Sequence, residues 1–132
     1  EKDALSIIII HPHLNLNTEE DRLKFKLVSE IVEASTKRST DLACRFQSNE
    51  IAVGVFNLDE VGTETVVTRI IESTEHGLAA SFEDLHLAIG GLNVLPSSQM
   101  EINEIFQITE NLVSRADGKG KHAYAIEYYQ MH

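Results

Sequence analysis

Apolar and polar positions along the chain follow two rhythms, and the switches between them mark out eight segments. Ala4 to Ile10 is β-branched and apolar, with Ile7-Ile8-Ile9-Ile10 at its centre, and predicts a central strand. Asn17-Thr18-Glu19-Glu20 carries helix-start chemistry, a capping amide or hydroxyl followed by acids in the first turn. From there to about Ser35, Leu23, Leu27, Ile31 and Ala34 recur at helical spacing, with Phe25, Val28 and Val32 beside them. Leu42 to Phe46 and Ile51 to Phe56 are apolar runs joined by Gln47-Ser48-Asn49-Glu50, a hairpin pattern. Glu60 to Ser73 predicts a second helix with Val66, Val67, Ile70 and Ile71 inward, followed by a turn at His76-Gly77. Leu85 to Leu92 is a further strand, interrupted near its end by Gly90-Gly91. Pro96-Ser97-Ser98 breaks the chain before a third helix from Glu101 to about Ala116. Gly118 and Gly120 end that helix, and Ala123 to Tyr129 closes as a strand.

The order β-α-β-β-α-β-α-β predicts an α/β (α+β) domain in which two βαβ halves flank a central hairpin. A sheet of five strands then has helices on one or both faces, as in the split βαβ plan. At 132 residues, with no repeat and no low-complexity segment, the pattern fits one domain spanning 1–132. The chain opens on Glu1-Lys2-Asp3 without an initiator Met, which reads as a segment of a longer protein.

Charge narrows the partners. A net charge of −10 opposes generic nucleic-acid or membrane binding, because phosphate backbones demand a basic surface. A small anionic ligand would need a local basic patch against this field. No apolar run approaches the roughly 20 residues that span a bilayer. Cys44 is the only cysteine, so an internal disulfide is impossible. Its apolar neighbours suggest a small buried side chain, in keeping with a reducing, cytoplasmic setting. His11 and His13, two apart around Pro12, raise the question of a zinc pair. No second ligand cluster accompanies them, and they read as loop histidines rather than metal ligands.

One stretch is more specific. Arg38-Ser39-Thr40-Asp41 stands five residues before Gln47-Ser48-Asn49-Glu50-Ile51, with Arg45-Phe46 between them. This resembles the GGDEF domain of bacterial diguanylate cyclases, in which an R-x-x-D motif precedes the G-G-[DE]-E-F signature by the same distance. Thr68-Arg69-Ile70 resembles that family's A-E-R-I helix. Leu87-Ala88-Ile89-Gly90 resembles its S-I-G strand, and Ala116 to Lys121 its A-K-x-x-G-[RK] ending. The resemblance covers most of the chain and implies a GGDEF-like fold.

It also implies that the chemistry has been lost. The family holds two metal ions with an acid after the first strand and another at the third signature position. Here those positions carry His11 and Asn49, poor partners for a hard divalent ion. Gln47 and Ser48 replace the glycines that let the backbone approach the nucleotide. Asp117 replaces the lysine of the ending, and the substrate-binding stretch after the first strand is shortened. No catalytic residue, metal or cofactor is therefore expected. Glu50, the surviving signature acid, reads as an exposed residue at a hairpin tip.

What is kept is the family's inhibitory site, where the R-x-x-D motif binds cyclic di-GMP. Arg38 can donate twice to guanine O6 and N7, and Asp41 can accept from its N1 and N2 hydrogens. Arg69 matches a further arginine of that site, and Lys37 adds charge beside Arg38. The same residues also fit a blander reading, an Arg38–Asp41 ion pair at a helix-to-strand turn with Arg69 facing solvent. The expectation is an inactive cyclic di-GMP receptor that signals to other domains of its chain or to a partner protein. The alternatives are a protein-docking module that binds no nucleotide, and a working enzyme.

Overall fold

Four consecutive isoleucines, three of them with no solvent exposure, place the first strand at the centre of the molecule. The computed structural model describes residues 5–35, 42–45, 49–56, 59–78, 85–94, 101–117, 119 and 122–129. Its elements run β1 (Leu5–Pro12), α1 (Glu19–Ser35), β2 (Leu42–Arg45), β3 (Ile51–Phe56), α2 (Glu60–Leu78), β4 (Leu87–Val94), α3 (Ile102–Ala116) and β5 (His122–Tyr129). This is the predicted βαββαβαβ order. The five strands form one sheet in the order β2-β3-β1-β4-β5. Every neighbouring pair is antiparallel except β4 and β5, which are parallel and joined through α3.

Strand alternation splits the apolar residues between two faces. On one face Ile8, Ile10, Val53, Val55 and Ile89 pack against Phe25, Val28 and Val32 of α1 and Val66, Val67 and Ile70 of α2. On the other, Ile7, Ile9, Leu92 and Val94 pack against Ile105, Leu112, Val113 and Ala116 of α3. The sheet is thus covered on both sides, and each fully buried isoleucine contributes roughly 1.5–3 kcal/mol relative to exposure.

Several local expectations are corrected. The inward stripe of α1 runs through Phe25, Val28 and Val32, while Leu23 is 55% exposed. Helix α2 continues through His76, whose ring lies 3.0 Å from the Glu72 carbonyl, so no turn forms there. Strand β4 runs unbroken through Gly90-Gly91 to Val94. The glycine at 90 answers a packing need. A Cβ there would lie 2.6 Å from the Thr109 carbonyl oxygen and 2.7 Å from the Val113 nitrogen, so α3 can sit this close only over a residue with no side chain.

Polar chemistry fixes the ends and one interior line. Thr18 caps α1, its hydroxyl accepting from the Asp21 amide at 3.2 Å, and Glu19, Glu20 and Asp21 fill the first turn. Inside the protein, Ser6 Oγ lies 2.6 Å from Thr63 Oγ1 and accepts from Asn93 Nδ2 at 2.8 Å. All three residues have no solvent exposure or next to none. They link β1, α2 and β4.

Candidate functional site

The three residues expected to read a guanine fare differently. Arg38 and Asp41 lie outside the described residues, as do Lys37 and the Gln47-Ser48 half of the hairpin turn. Arg69 is described. It projects from the middle of α2, exposed, and its Nη1 donates to the Ser35 carbonyl at 3.3 Å. Ser35 is the last residue of α1 and stands three positions before Arg38. The guanidinium therefore sits where the chain leaves α1 toward the R-x-x-D stretch. Among the described residues Arg69 has no carboxylate partner, so its charge is uncompensated there. Asp41 immediately precedes β2, whose register pairs Leu42 with Gly54 and Arg45 with Ile51, so the hairpin that carries both motifs is formed.

At the other end of that hairpin the structure corrects the reading of Glu50. It is buried, with 6% exposure, rather than exposed at a tip. His11 likewise belongs to β1, opposite Ala88, rather than to a loop. Its Nδ1 lies 3.2 Å from Glu50 Oε2, with neither hydrogen-bond geometry nor another partner. His13 packs edge-on against the His11 ring, with centroids 5.1 Å apart and an interplanar angle of 88°. Its Nε2 reaches Asp117 at the end of α3 at 2.8 Å. Burial, then the neighbouring His13, hold the His11 imidazole below the usual histidine range. Glu110 of α3 completes the group. Burial, followed by a hydrogen bond to Glu50 and its charge, pushes the Glu110 carboxyl up to about 7. Sequence reasoning passed over Glu110. Its signal was an acid four residues after Phe106 and three before Val113, within the apolar stripe of α3.

Two surface pockets, each of about 340 Å³, carry opposite charge. One lies on α1 between Leu16, Arg22, Phe25, Lys26 and Ser29, with Arg22 Nη1 held on the Leu16 carbonyl at 3.0 Å. The other, between α2 and β5, is lined by Glu60, Val61, Glu64, Tyr124 and Ile126. There the Tyr124 hydroxyl donates to Glu64 at 2.7 Å, which raises the phenol above its usual range. An anion is repelled from the second pocket and tolerated at the first. Among the described residues no three histidine, cysteine, aspartate or glutamate side chains come together as a metal site. No described helix is long and apolar enough to cross a membrane.

No family model matches the sequence, and no curated protein matches it. Solved structures do match by shape. The active GGEEF domain of a diguanylate cyclase from Vibrio cholerae superposes with a TM-score of 0.75 at 14% identity, over 98% of this chain and 85% of that one. The GGDEF domain of DgcB from Caulobacter crescentus, in complex with c-di-GMP, gives 0.71 at 9% identity over 96% of this chain and 78% of its own. Diguanylate cyclase SiaD from Pseudomonas aeruginosa, in complex with its activator SiaC, gives 0.71 at 9% identity, over 96% and 50%. The mixed sheet with its flanking helices is the fold of GGDEF domains.

Proposed function

We propose that this GGDEF-fold chain is a regulatory module without cyclase activity that binds cyclic di-GMP through Arg38, Asp41 and Arg69. The observation that carries the reading is the Arg69–Ser35 hydrogen bond, which brings a guanidinium with no carboxylate partner among the described residues to the end of α1, three positions before Arg38 in sequence. In a chain of net charge −10, a dianion needs such a local concentration of arginine. Arg38 would take the O6/N7 edge of a guanine and Asp41 its N1 and N2 hydrogens, while Arg69 meets a phosphate. The complex of the DgcB GGDEF domain with c-di-GMP lends support from a protein of the same fold.

Loss of activity is read from the donor set. The position matched to the family's first metal ligand, His11 near the end of β1, holds an imidazole already facing Glu50, and the third signature position holds the neutral Asn49. These side chains do not fit a pair of hard divalent ions, which call for anionic oxygen. The module would instead report ligand occupancy to another domain of its chain or to a cytoplasmic partner protein.

Titration calorimetry with cyclic di-GMP tests this on the wild type beside Arg38→Ala, Asp41→Ala and Arg69→Ala. At roughly 1–3 kcal/mol per bidentate base contact, each of the first two weakens binding about tenfold or more. Arg69→Ala, which removes a phosphate contact, weakens it about threefold to tenfold. No heat at tens of micromolar ligand would leave a docking module that binds no nucleotide. Cyclic product from GTP and magnesium would overturn the loss of activity.

A further inference from the structure

Among the described residues the sheet ends on β5, so the backbone groups along that strand's outer edge face no further strand. Its side chains alternate between two layers. Ala123 and Ala125 pack on the α3 side, and Tyr124 and Ile126 on the side of α1 and α2. On the α3 side Glu127 is answered by Arg115 at 2.9 Å. On the α2 side the charge is unanswered. Glu60 and Glu64, one turn apart on α2, line a pocket of about 340 Å³ with Val61, Tyr124 and Ile126. Glu64 accepts from the Tyr124 hydroxyl at 2.7 Å, and among the described residues no lysine, arginine or histidine reaches either carboxylate. Like charges at this helical spacing repel each other. The surface is also apolar: Val61 is 70% exposed, and Tyr128, two residues beyond Ile126 on the same side of β5, is 44% exposed. An apolar floor with acids at its rim suits a side chain with an apolar stem and a cationic tip, which is lysine or arginine.

We propose that this edge is a docking strand for a partner protein: an extended basic segment lies along β5 and lays lysine or arginine stems over Val61 and Ile126, with their charges on Glu60 and Glu64. Main-chain hydrogen bonds along the free edge supply affinity, and the pocket supplies the preference for a cation. The chain's net charge of −10 draws such a segment in and repels an acidic one. A second copy of this chain is a poorer occupant, because it brings the same unanswered acids to the edge. The surface uses none of the residues assigned to cyclic di-GMP, so either assignment can fail without the other.

Nuclear magnetic resonance titration of the labelled chain with a blocked peptide of alternating lysine and threonine tests this. The expected result is saturable movement of the amides of 60–64 and of β5 while those of β2 stay still, with weaker binding at higher salt. A matched peptide with glutamate in place of lysine leaves the same amides unmoved. Glu60→Gln, a change at an exposed position, weakens the lysine peptide about twofold to fivefold. Stationary amides at 60–64 and β5 at millimolar peptide overturn the proposal, as does movement centred elsewhere on the chain. An equal response to the glutamate peptide, or unchanged affinity in Glu60→Gln, overturns the role of the acids. Movement of the β5 amides on dilution of the chain alone assigns the edge to a second copy and overturns the partner.

Discussion

Two adjacent glycines on one strand offer a controlled test of how closely α3 packs on the sheet. An added methyl at Gly90 would meet the Thr109 oxygen at 2.6 Å, the Val113 nitrogen at 2.7 Å and Val113 Cγ2 at 2.9 Å. Two of these three are backbone atoms, so a rotamer change cannot relieve them, and α3 would have to move as a body. Overpacking typically costs about 1–3 kcal/mol, and a rigid helix backbone places Gly90→Ala at the upper end, about 3 kcal/mol. At Gly91, one residue along and on the opposite face, the same methyl meets Ile126 Cγ1 at 3.4 Å and Thr63 Cγ2 at 3.6 Å, ordinary contact. Gly91→Ala also reduces the freedom of the unfolded chain, worth about 0.4–1 kcal/mol. It should be neutral or slightly stabilising. Urea unfolding with a common m value gives the two free energies, and a melting curve should separate the variants by about 10 °C. Variants within about 1 kcal/mol of each other would show that the tight α3–β4 contact does not exist in solution.

The carboxyl pair makes stability depend on pH with a definite sign. Because the folded state binds the Glu110 proton more tightly than the unfolded chain, stability falls as pH rises from about 4.5 to about 7. The full shift would correspond to about 3 kcal/mol, and solvent screening at this partly exposed group reduces it to about 1 kcal/mol. Glu110→Gln should therefore gain about 1 kcal/mol at pH 8 and nothing at pH 4.5, measured by urea unfolding at each pH; equal gains at both would refute the linkage. His11 acts in the opposite sense, its depressed value drawing stability down as pH falls below 6.5. Ser6→Ala removes the acceptor of Asn93 Nδ2 and the partner of Thr63 inside the protein, and should cost about 1–3 kcal/mol by the same assay. A loss below about 0.5 kcal/mol would show that the interior hydrogen bonds contribute little.

The element order was legible because the hydrophobic period switches cleanly between two and 3.6. The isoleucine run could only be a strand, and Asn17-Thr18-Glu19-Glu20 could only begin a helix. What escaped was what lies over each element. On α1 the leucine stripe and the Phe25-Val28-Val32 stripe are neighbours, and the contact with α2 and the sheet, not periodicity, chose between them. Gly90 read as an interruption because a missing side chain looks the same whether the strand stops or a helix comes close. Glu50 read as exposed because a hairpin turn says nothing of a helix sixty residues away. Only the fold brings Glu110 to it. The R-x-x-D stretch remains a sequence argument, supported by Arg69 standing beside the end of α1.

The interior line of Ser6, Thr63 and Asn93 has a consequence for how the chain finds its alignment. Strand β1 is nearly uniform, and sliding it two residues along β4 would still set isoleucine against apolar neighbours, with Ile9 opposite Leu92 and Ile10 opposite Gly91. Greasiness alone scarcely distinguishes the two alignments. In the native one Ser6 stands directly opposite Asn93, whereas the slipped strand would press Ile8 against that amide and strip it of its hydroxyl. One serine at the head of a monotonous strand thus acts as the index mark that tells otherwise equivalent threadings apart.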